Sequence, residues 1–140
     1  MNYPDIHSFP FLEKYWSMRE QLFTVKDPDA VREICWQMIT FAPQALDEQK
    51  QYNDQYRKAR EESAAFFGEK CRSQPEICFV NAEPFKRFAI ICEKQENIPQ
   101  AVWACQYAIR LGLTDDGTKG GMPGRLDKLM RKYNAAREEE

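Results

Sequence analysis

The chain has 140 residues, of which 43% are hydrophobic and 30% charged, and its formal net charge at neutral pH is -2. This length and apolar content predict one soluble domain with a sizeable core. The balanced charge excludes a protein whose whole surface is a footprint for nucleic acid or for a membrane. No apolar run approaches the roughly 20 residues that cross a bilayer, and residues 1–8 lack the order of a signal peptide, so we expect a cytoplasmic protein.

The first two predicted elements are amphipathic helices. Ser8 is placed to cap the first, in which apolar residues recur at helical spacing from Phe11 to Phe23. Asp27 and Pro28 mark a turn and the start of the second helix. Aspartate accepts hydrogen bonds from the free amides of a first turn, and proline is tolerated at the first helical position.

A long polar segment follows from Gln44 to Lys70, with only a thin stripe of apolar residues. Such a stripe predicts a long, mostly solvated helix. The connector after it contains Pro75 and leads to a new helix start near Asn81 or Glu83.

The strongest pattern lies between Ala82 and Leu113, where large and small apolar residues recur at the spacing of two packed antiparallel helices. Phenylalanine fills the space between such helices, and alanine lets their backbones approach closely. Counted from Ala82, the pattern has Phe85 at four, Phe88 at seven, Ala89 at eight, Cys92 at eleven, Ala101 at twenty, Cys105 at twenty-four and Ala108 at twenty-seven. This order resembles a tetratricopeptide repeat.

The resemblance implies an all-α protein of antiparallel helical hairpins stacked as TPR-like repeats. We expect one domain over residues 1–140, with a degenerate repeat over about 12–45, a strong repeat over about 82–113 and a C-terminal capping helix over about 123–137. The long polar helix stands between the two repeats. The segment from Leu111 to Arg125 also resembles the endings of small bacterial and phage repeat proteins.

The resemblance further implies a non-enzymatic module that presents a helical groove to a protein or peptide partner. A phage or mobile-element adaptor, or an inhibitor of a host protein, would fit this description. By the family's geometry, the groove residues are Glu83, Lys86, Ile90, Glu93 and Lys94. Trp103 and Tyr107 join this contact if they are exposed, and otherwise belong to the core. Isolated repeats leave apolar ends uncovered, so there are two alternatives: a homodimer covers these ends, or the long middle helix and the last helix complete a monomeric bundle.

The glycine-rich stretch from Gly117 to Gly121 supports an alternative function. It combines loop glycines with a hydroxyl and a lysine, which are also used to cradle phosphate, although the spacing is not that of a P-loop. Phosphate or nucleic acid would then bind through the basic residues Lys119, Arg125, Lys128, Arg131 and Lys132. The competing interpretation is a helix-ending turn in which Lys119 or Arg125 pairs with Asp115 or Asp116.

The titratable residues predict neither catalysis nor a cofactor. Five cysteines without a close CxxC pair indicate reduced thiols, although Cys71 and Cys78 could pair or bind metal. The only histidine, His7, is distant from them in sequence, so no metal site is expected. No acid, base and nucleophile set is recognisable.

Overall fold

The computed structural model describes residues 3–70 and 76–138. Within these ranges the chain forms a short 3-10 turn at Ile6–Ser8, six α-helices and no β-strand, which confirms the all-α prediction. The helices are α1 (Pro10–Leu22), α2 (Pro28–Thr40), α3 (Ala42–Phe66), α4 (Glu83–Lys94), α5 (Ile98–Arg110) and α6 (Gly121–Glu138). None of the helices in these ranges combines the length and apolar character that crossing a membrane requires.

The chain divides into two compact units. The first comprises Met1–Glu20 and Phe41–Val80, and therefore contains most of α1 and all of α3. The second comprises Gln21–Thr40 and Asn81–Glu140, with α2, α4, α5 and α6. The degenerate repeat expected over residues 12–45 takes its first helix mainly from one unit and its second from the other. Its packing as a repeat stays a prediction.

The first unit is held by aromatic contacts and by polar anchors on the long helix α3. The buried ring of Tyr15 meets the ring of Phe41 edge-on, with centroids 5.9 Å apart. From α3, the buried Gln49 side chain accepts a hydrogen bond from the Val80 amide at 2.9 Å. The predicted long polar helix is confirmed, and it begins two residues earlier than expected from Gln44.

The second unit is built on close packing of small residues. Helix α2 packs against α4, α4 against α5 and α5 against α6. The connection between α4 and α5 has three residues, a length typical of helical hairpins. The template residues of the strong repeat are at most 1% exposed: Phe85, Phe88, Ala89, Cys92, Ala101, Cys105 and Ala108. The predicted core of this pair is thus confirmed, while its TPR-like arrangement stays a prediction.

Local signals account for several helix boundaries. At the start of α2, Asp27 Oδ2 accepts the amide hydrogen bond of Ala30 at 3.0 Å, as its position predicts. At the end of α5, Gly112 has a φ of 80°, and the Leu113 amide donates to the Ala108 carbonyl at 2.8 Å, which is Schellman geometry. The Ser8 cap is wrong, because Ser8 ends the 3-10 turn and α1 begins only at Pro10.

Glycine is required where α6 begins. Gly121 has a φ of 62°, and a Cβ atom at this position would lie 2.5 Å from the Thr114 carbonyl oxygen. Any other residue would collide with that backbone oxygen. Helix α6 begins at Gly121 and ends at Glu138, close to the capping helix predicted over about 123–137.

Candidate functional site

The second unit carries a cleft of about 430 Å³. Four of its lining residues come from α2, one from α4 and one from α5: Asp29, Arg32, Glu33, Trp36, Phe88 and Gln100. The α2 residues follow the i, i+3, i+4, i+7 spacing from Asp29 to Trp36, so they share one face of that helix. We call this the aromatic cleft, together with the rings of Trp103 and Tyr107 that extend it along α5.

The rings of the aromatic cleft contact one another in a row. The centroids of Trp36 and Trp103 are 5.4 Å apart with an interplanar angle of 43°, and Trp103 stacks on Tyr107 at 5.3 Å and 20°. The core residue Phe88 lies 5.7 Å from Trp36. Trp36 and Trp103 each remain 39% exposed. Trp103 is therefore not a core residue, and the core interpretation of it is wrong.

Arg32 is held across the cleft by neutral groups. Its two terminal nitrogens donate to Gln95 Oε1 at 3.1 Å and to Gln100 Oε1 at 2.8 Å. Its guanidinium carbon lies 5.8 Å from the centroid of the Phe88 ring, a cation–π distance. The same Gln100 oxygen is 3.7 Å from the Cys92 thiol. Arg32 thus links α2 to the end of α4 and the start of α5 without meeting a carboxylate.

The two carboxylates of the cleft also contact neutral amides. Asp29 Oδ1 accepts from Gln95 Nε2 at 3.0 Å, and Glu33 Oε1 accepts from Gln37 Nε2 at 3.2 Å. In the described part of the chain, neither carboxylate lies in an ion pair. Neither carboxylate is therefore neutralised by a direct ion pair within the described residues.

The sequence-predicted groove residues lie on a different face of α4. Lys86, Ile90 and Lys94 are four positions apart and share that face. Ile90 points about 160° around the helix from Phe88, so this face does not border the aromatic cleft. Lys94 is exposed, whereas Lys86 and Ile90 are half-buried.

The two acidic residues of the predicted groove are already paired. Glu83 Oε1 accepts from Arg87 at 3.1 Å within α4. Glu93 Oε1 accepts from Lys132 of α6 at 2.8 Å, which ties the two helices together. Lys86 and Lys94, by contrast, form no ion pair among the described residues.

The loop before α6 is organised around the buried carboxylate of Asp116. Arg125 Nε donates to Asp116 Oδ2 at 3.0 Å, and the Thr118 amide and hydroxyl both donate to Asp116 Oδ1. Burial by itself would raise the pKa of Asp116, but the hydrogen bonds from Thr118 and the Arg125 guanidinium hold it below its ordinary value. The Asp116–Arg125 pair expected in the competing interpretation is confirmed, but the stretch from Gly117 to Gly121 leads into α6 rather than ending α5.

Most of the backbone amides described at this loop and at the start of α6 donate to acceptors within the chain. The Gly117 amide donates to Asp115 Oδ1 at 2.9 Å, and the Gly121 and Met122 amides donate to the Thr118 and Thr114 carbonyls. Pro123 has no amide hydrogen, and Gly124 already bonds to Gly120. The start of α6 therefore presents none of its described amides to a phosphate in this arrangement.

The five basic residues predicted for anion binding fall into two groups. Arg125 and Lys132 form the ion pairs with Asp116 and Glu93. Lys119, Lys128 and Arg131 are exposed, and within residues 3–70 and 76–138 they form no ion pair.

The described cysteines are free, and three of them are buried. Burial raises the pKa of the Cys35 thiol to about 12 and that of Cys105 to about 11, and it also raises the pKa of Cys92. Buried thiols of this kind are small core residues rather than nucleophiles. Cys78 is exposed, and Cys71 lies outside the described residues. No group of three potential metal ligands occurs in the part of the chain that the structure describes.

Comparison with protein-family models, curated proteins and solved structures found no match to this chain. The tetratricopeptide resemblance stays a prediction from residue spacing.

Sequence reasoning missed the α2 side of the aromatic cleft. Trp36 lies off the apolar stripe of α2, whose buried members are Val31, Cys35, Met38 and Ile39. A tryptophan on the polar face of an amphipathic helix is the signal that could have identified it. For its partner Trp103, the sequence leaves open whether the residue is exposed or in the core, because this depends on which side of α5 faces α4.

Proposed function

We propose that this chain is a non-enzymatic protein-interaction module and that its partner binds at the aromatic cleft. The observation that carries the proposal is the pair Trp36 and Trp103, two large rings left 39% exposed beside a cleft of about 430 Å³. Tryptophan, tyrosine and arginine are the residues that most often dominate binding energy at protein interfaces. The cleft presents all three types from adjacent helices.

The contacts between the rings also prepare the site for binding. Trp103 is stacked on Tyr107, and Trp36 contacts both Trp103 and Phe88, so these side chains are already restricted before a partner arrives. Restricted side chains lose less conformational entropy on association. In this proposal α4 and α5 act as a TPR-like hairpin whose buried seam holds the rings in place.

The free thiols suit a reducing compartment such as the cytoplasm, because buried cysteines at core positions need no oxidation to stabilise the fold. Anion binding at the Gly117–Gly121 loop is the less favoured alternative. The Gly117 and Thr118 amides already donate to Asp115 and Asp116, and these two carboxylates place negative charge beside any incoming phosphate.

Partner capture with matched tryptophan variants tests the proposal. Trp36→Ala combined with Trp103→Ala removes the exposed rings of the cleft. Trp16→Ala is the control, because Trp16 is equally exposed at 39% but belongs to the first unit. We expect a protein from the native host's lysate to be retained by the wild type and the control, and to bind the double variant at least about 30-fold more weakly.

A second variant separates the cleft from the predicted α4 groove. Lys86→Ala combined with Lys94→Ala removes two charges from that face and leaves the cleft intact. If the retained protein is lost with this variant and kept by the tryptophan variant, the α4 face is the binding surface and the cleft proposal is wrong. Nucleic acid alone, bound with a steep salt dependence, would favour the basic residues of α6.

A further inference from the structure

The geometry points to a cationic side chain, an arginine or a lysine of a partner peptide, as the ligand of the aromatic cleft. This inference rests on the proposed interaction function and specifies the chemistry that the cleft recognises. It is carried by the charges, the ring faces and the existing hydrogen bonds of the lining residues.

The lining of the cleft is negative on balance. Asp29 and Glu33 supply two carboxylates against the single guanidinium of Arg32. They lie four residues apart on α2 and therefore on the same side of the helix. Their described hydrogen-bond donors are the neutral amides of Gln95 and Gln37, so neither carboxylate is paired directly with a cation among the described residues. The N-terminus of α2 partly offsets the charge of Asp29, which lies in its first turn. A cation between them would gain charge-assisted hydrogen bonds that neutral amides do not supply.

The faces of the aromatic rings would also attract a cation. The face of an aromatic ring is electrostatically negative, and tryptophan binds cations best among the side chains. The cleft already contains one such contact, between Arg32 and Phe88 at 5.8 Å. Trp36 and Trp103 have exposed surface of their own for a second, external cation.

Arg32 does not substitute for that external cation. Its terminal nitrogens donate to Gln95 and Gln100 and form no ion pair with Asp29 or Glu33, although the Gln95 amide links Arg32 to Asp29. An acidic ligand would have to bind this one guanidinium against the repulsion of Asp29 and Glu33. The charge balance therefore favours a basic ligand over an acidic one.

Short peptides with a single variable residue test the inference on the full chain. The probes are glycine–serine peptides that carry arginine, lysine, citrulline or glutamate at the centre. Citrulline keeps the planar shape of arginine and removes its charge. Binding is followed by NMR at the indole N–H resonances, assigned with single Trp→Phe variants, and Trp16 of the first unit serves as the internal reference.

We expect the arginine and lysine peptides to shift the Trp36 and Trp103 resonances and to leave Trp16 unchanged. Citrulline in place of arginine should weaken binding at least about tenfold, because the charge and its contacts with the carboxylates are lost. Asp29→Asn with Glu33→Gln should have a similar effect. Asp47→Asn with Glu62→Gln makes the same charge change outside the cleft and should leave the affinity unchanged.

Three results would overturn the inference. They are equal binding of the arginine and citrulline peptides, binding of the glutamate peptide alone, and the failure of every basic peptide to shift Trp36 and Trp103 at millimolar concentration. None of these results bears on whether a partner protein requires the two rings, which partner capture with the tryptophan variants measures separately. The ligand chemistry and the interaction function can thus fail independently.

Discussion

Helix α5 carries small residues on its buried side and large aromatic residues on a more exposed side. Toward the core it carries Ala101, Ala104, Cys105 and Ala108, all fully buried. On another side it carries Trp103, its largest residue, 39% exposed and stacked on Tyr107. The small side lets α4 and α6 approach closely, whereas the aromatic side adds exposed apolar surface that the fold itself does not bury. The first side therefore serves stability, and the second is available for binding.

Truncating a buried phenylalanine and an exposed one should give the largest difference in stability. Phe85 is completely buried in the second unit, whereas Phe23 of the same unit is 67% exposed. We expect Phe85→Ala to lower the free energy of unfolding by about 3–5 kcal/mol, because it removes a buried ring and leaves a cavity. Phe23→Ala should change it by no more than about 0.5 kcal/mol. Urea denaturation followed by circular dichroism measures both, and equal losses would contradict the assignment of the core.

The adjacent residues Asp115 and Asp116 allow the same comparison of an exposed and a buried side chain for a charged group. Asp116→Asn should lower the free energy of unfolding by about 3 kcal/mol, because Arg125 is largely buried and loses its counter-charge. Asp115 is exposed, and asparagine can still accept the Gly117 amide, so Asp115→Asn should be nearly neutral.

The pH dependence of the Asp116 variant follows from the direction of its pKa. The pKa of Asp116 is lowered in the folded chain, so its stabilising effect is complete above the unfolded value of about 3.9 and is lost as pH falls toward the folded value. The stability difference between the wild type and Asp116→Asn should therefore be constant above about pH 5 and shrink below about pH 4. A difference that grows on acidification would contradict this expectation.

An added side chain on either side of α5 gives the smallest expected effect. Ala104→Leu should lower the free energy of unfolding by about 1–3 kcal/mol, because Ala104 is completely buried and the packed core cannot accommodate the extra atoms without strain. Gln106→Leu introduces the same residue at an exposed position and should stay within about 0.5 kcal/mol of the wild type. Thermal unfolding of both variants, with the wild type alongside, would reveal whether the seam tolerates larger residues.

The sequence predicts much of the second unit, because its signals are local. The spacing of Phe85, Phe88 and the alanines identifies a buried seam, and Asp27 marks the start of α2 through a hydrogen bond to a residue three positions away. The pairing of Asp116 with Arg125 was likewise among the expected arrangements, since the two residues are joined by one short loop. The Ser8 cap failed because a 3-10 turn at Ile6–Ser8 takes up that residue before α1 begins.

The chain's own residues determined the all-α class, the long polar helix and the small-residue seam of α4 and α5, because these depend on periodicity within single helices. Only the tertiary structure decided that Trp36 of α2 meets Trp103 of α5, and that Arg32 reaches Gln95 and Gln100. These contacts join residues far apart in sequence, and they depend on how α2 packs on α4. Spacing along one helix shows which residues share a face, but the rotation of neighbouring helices determines which faces meet.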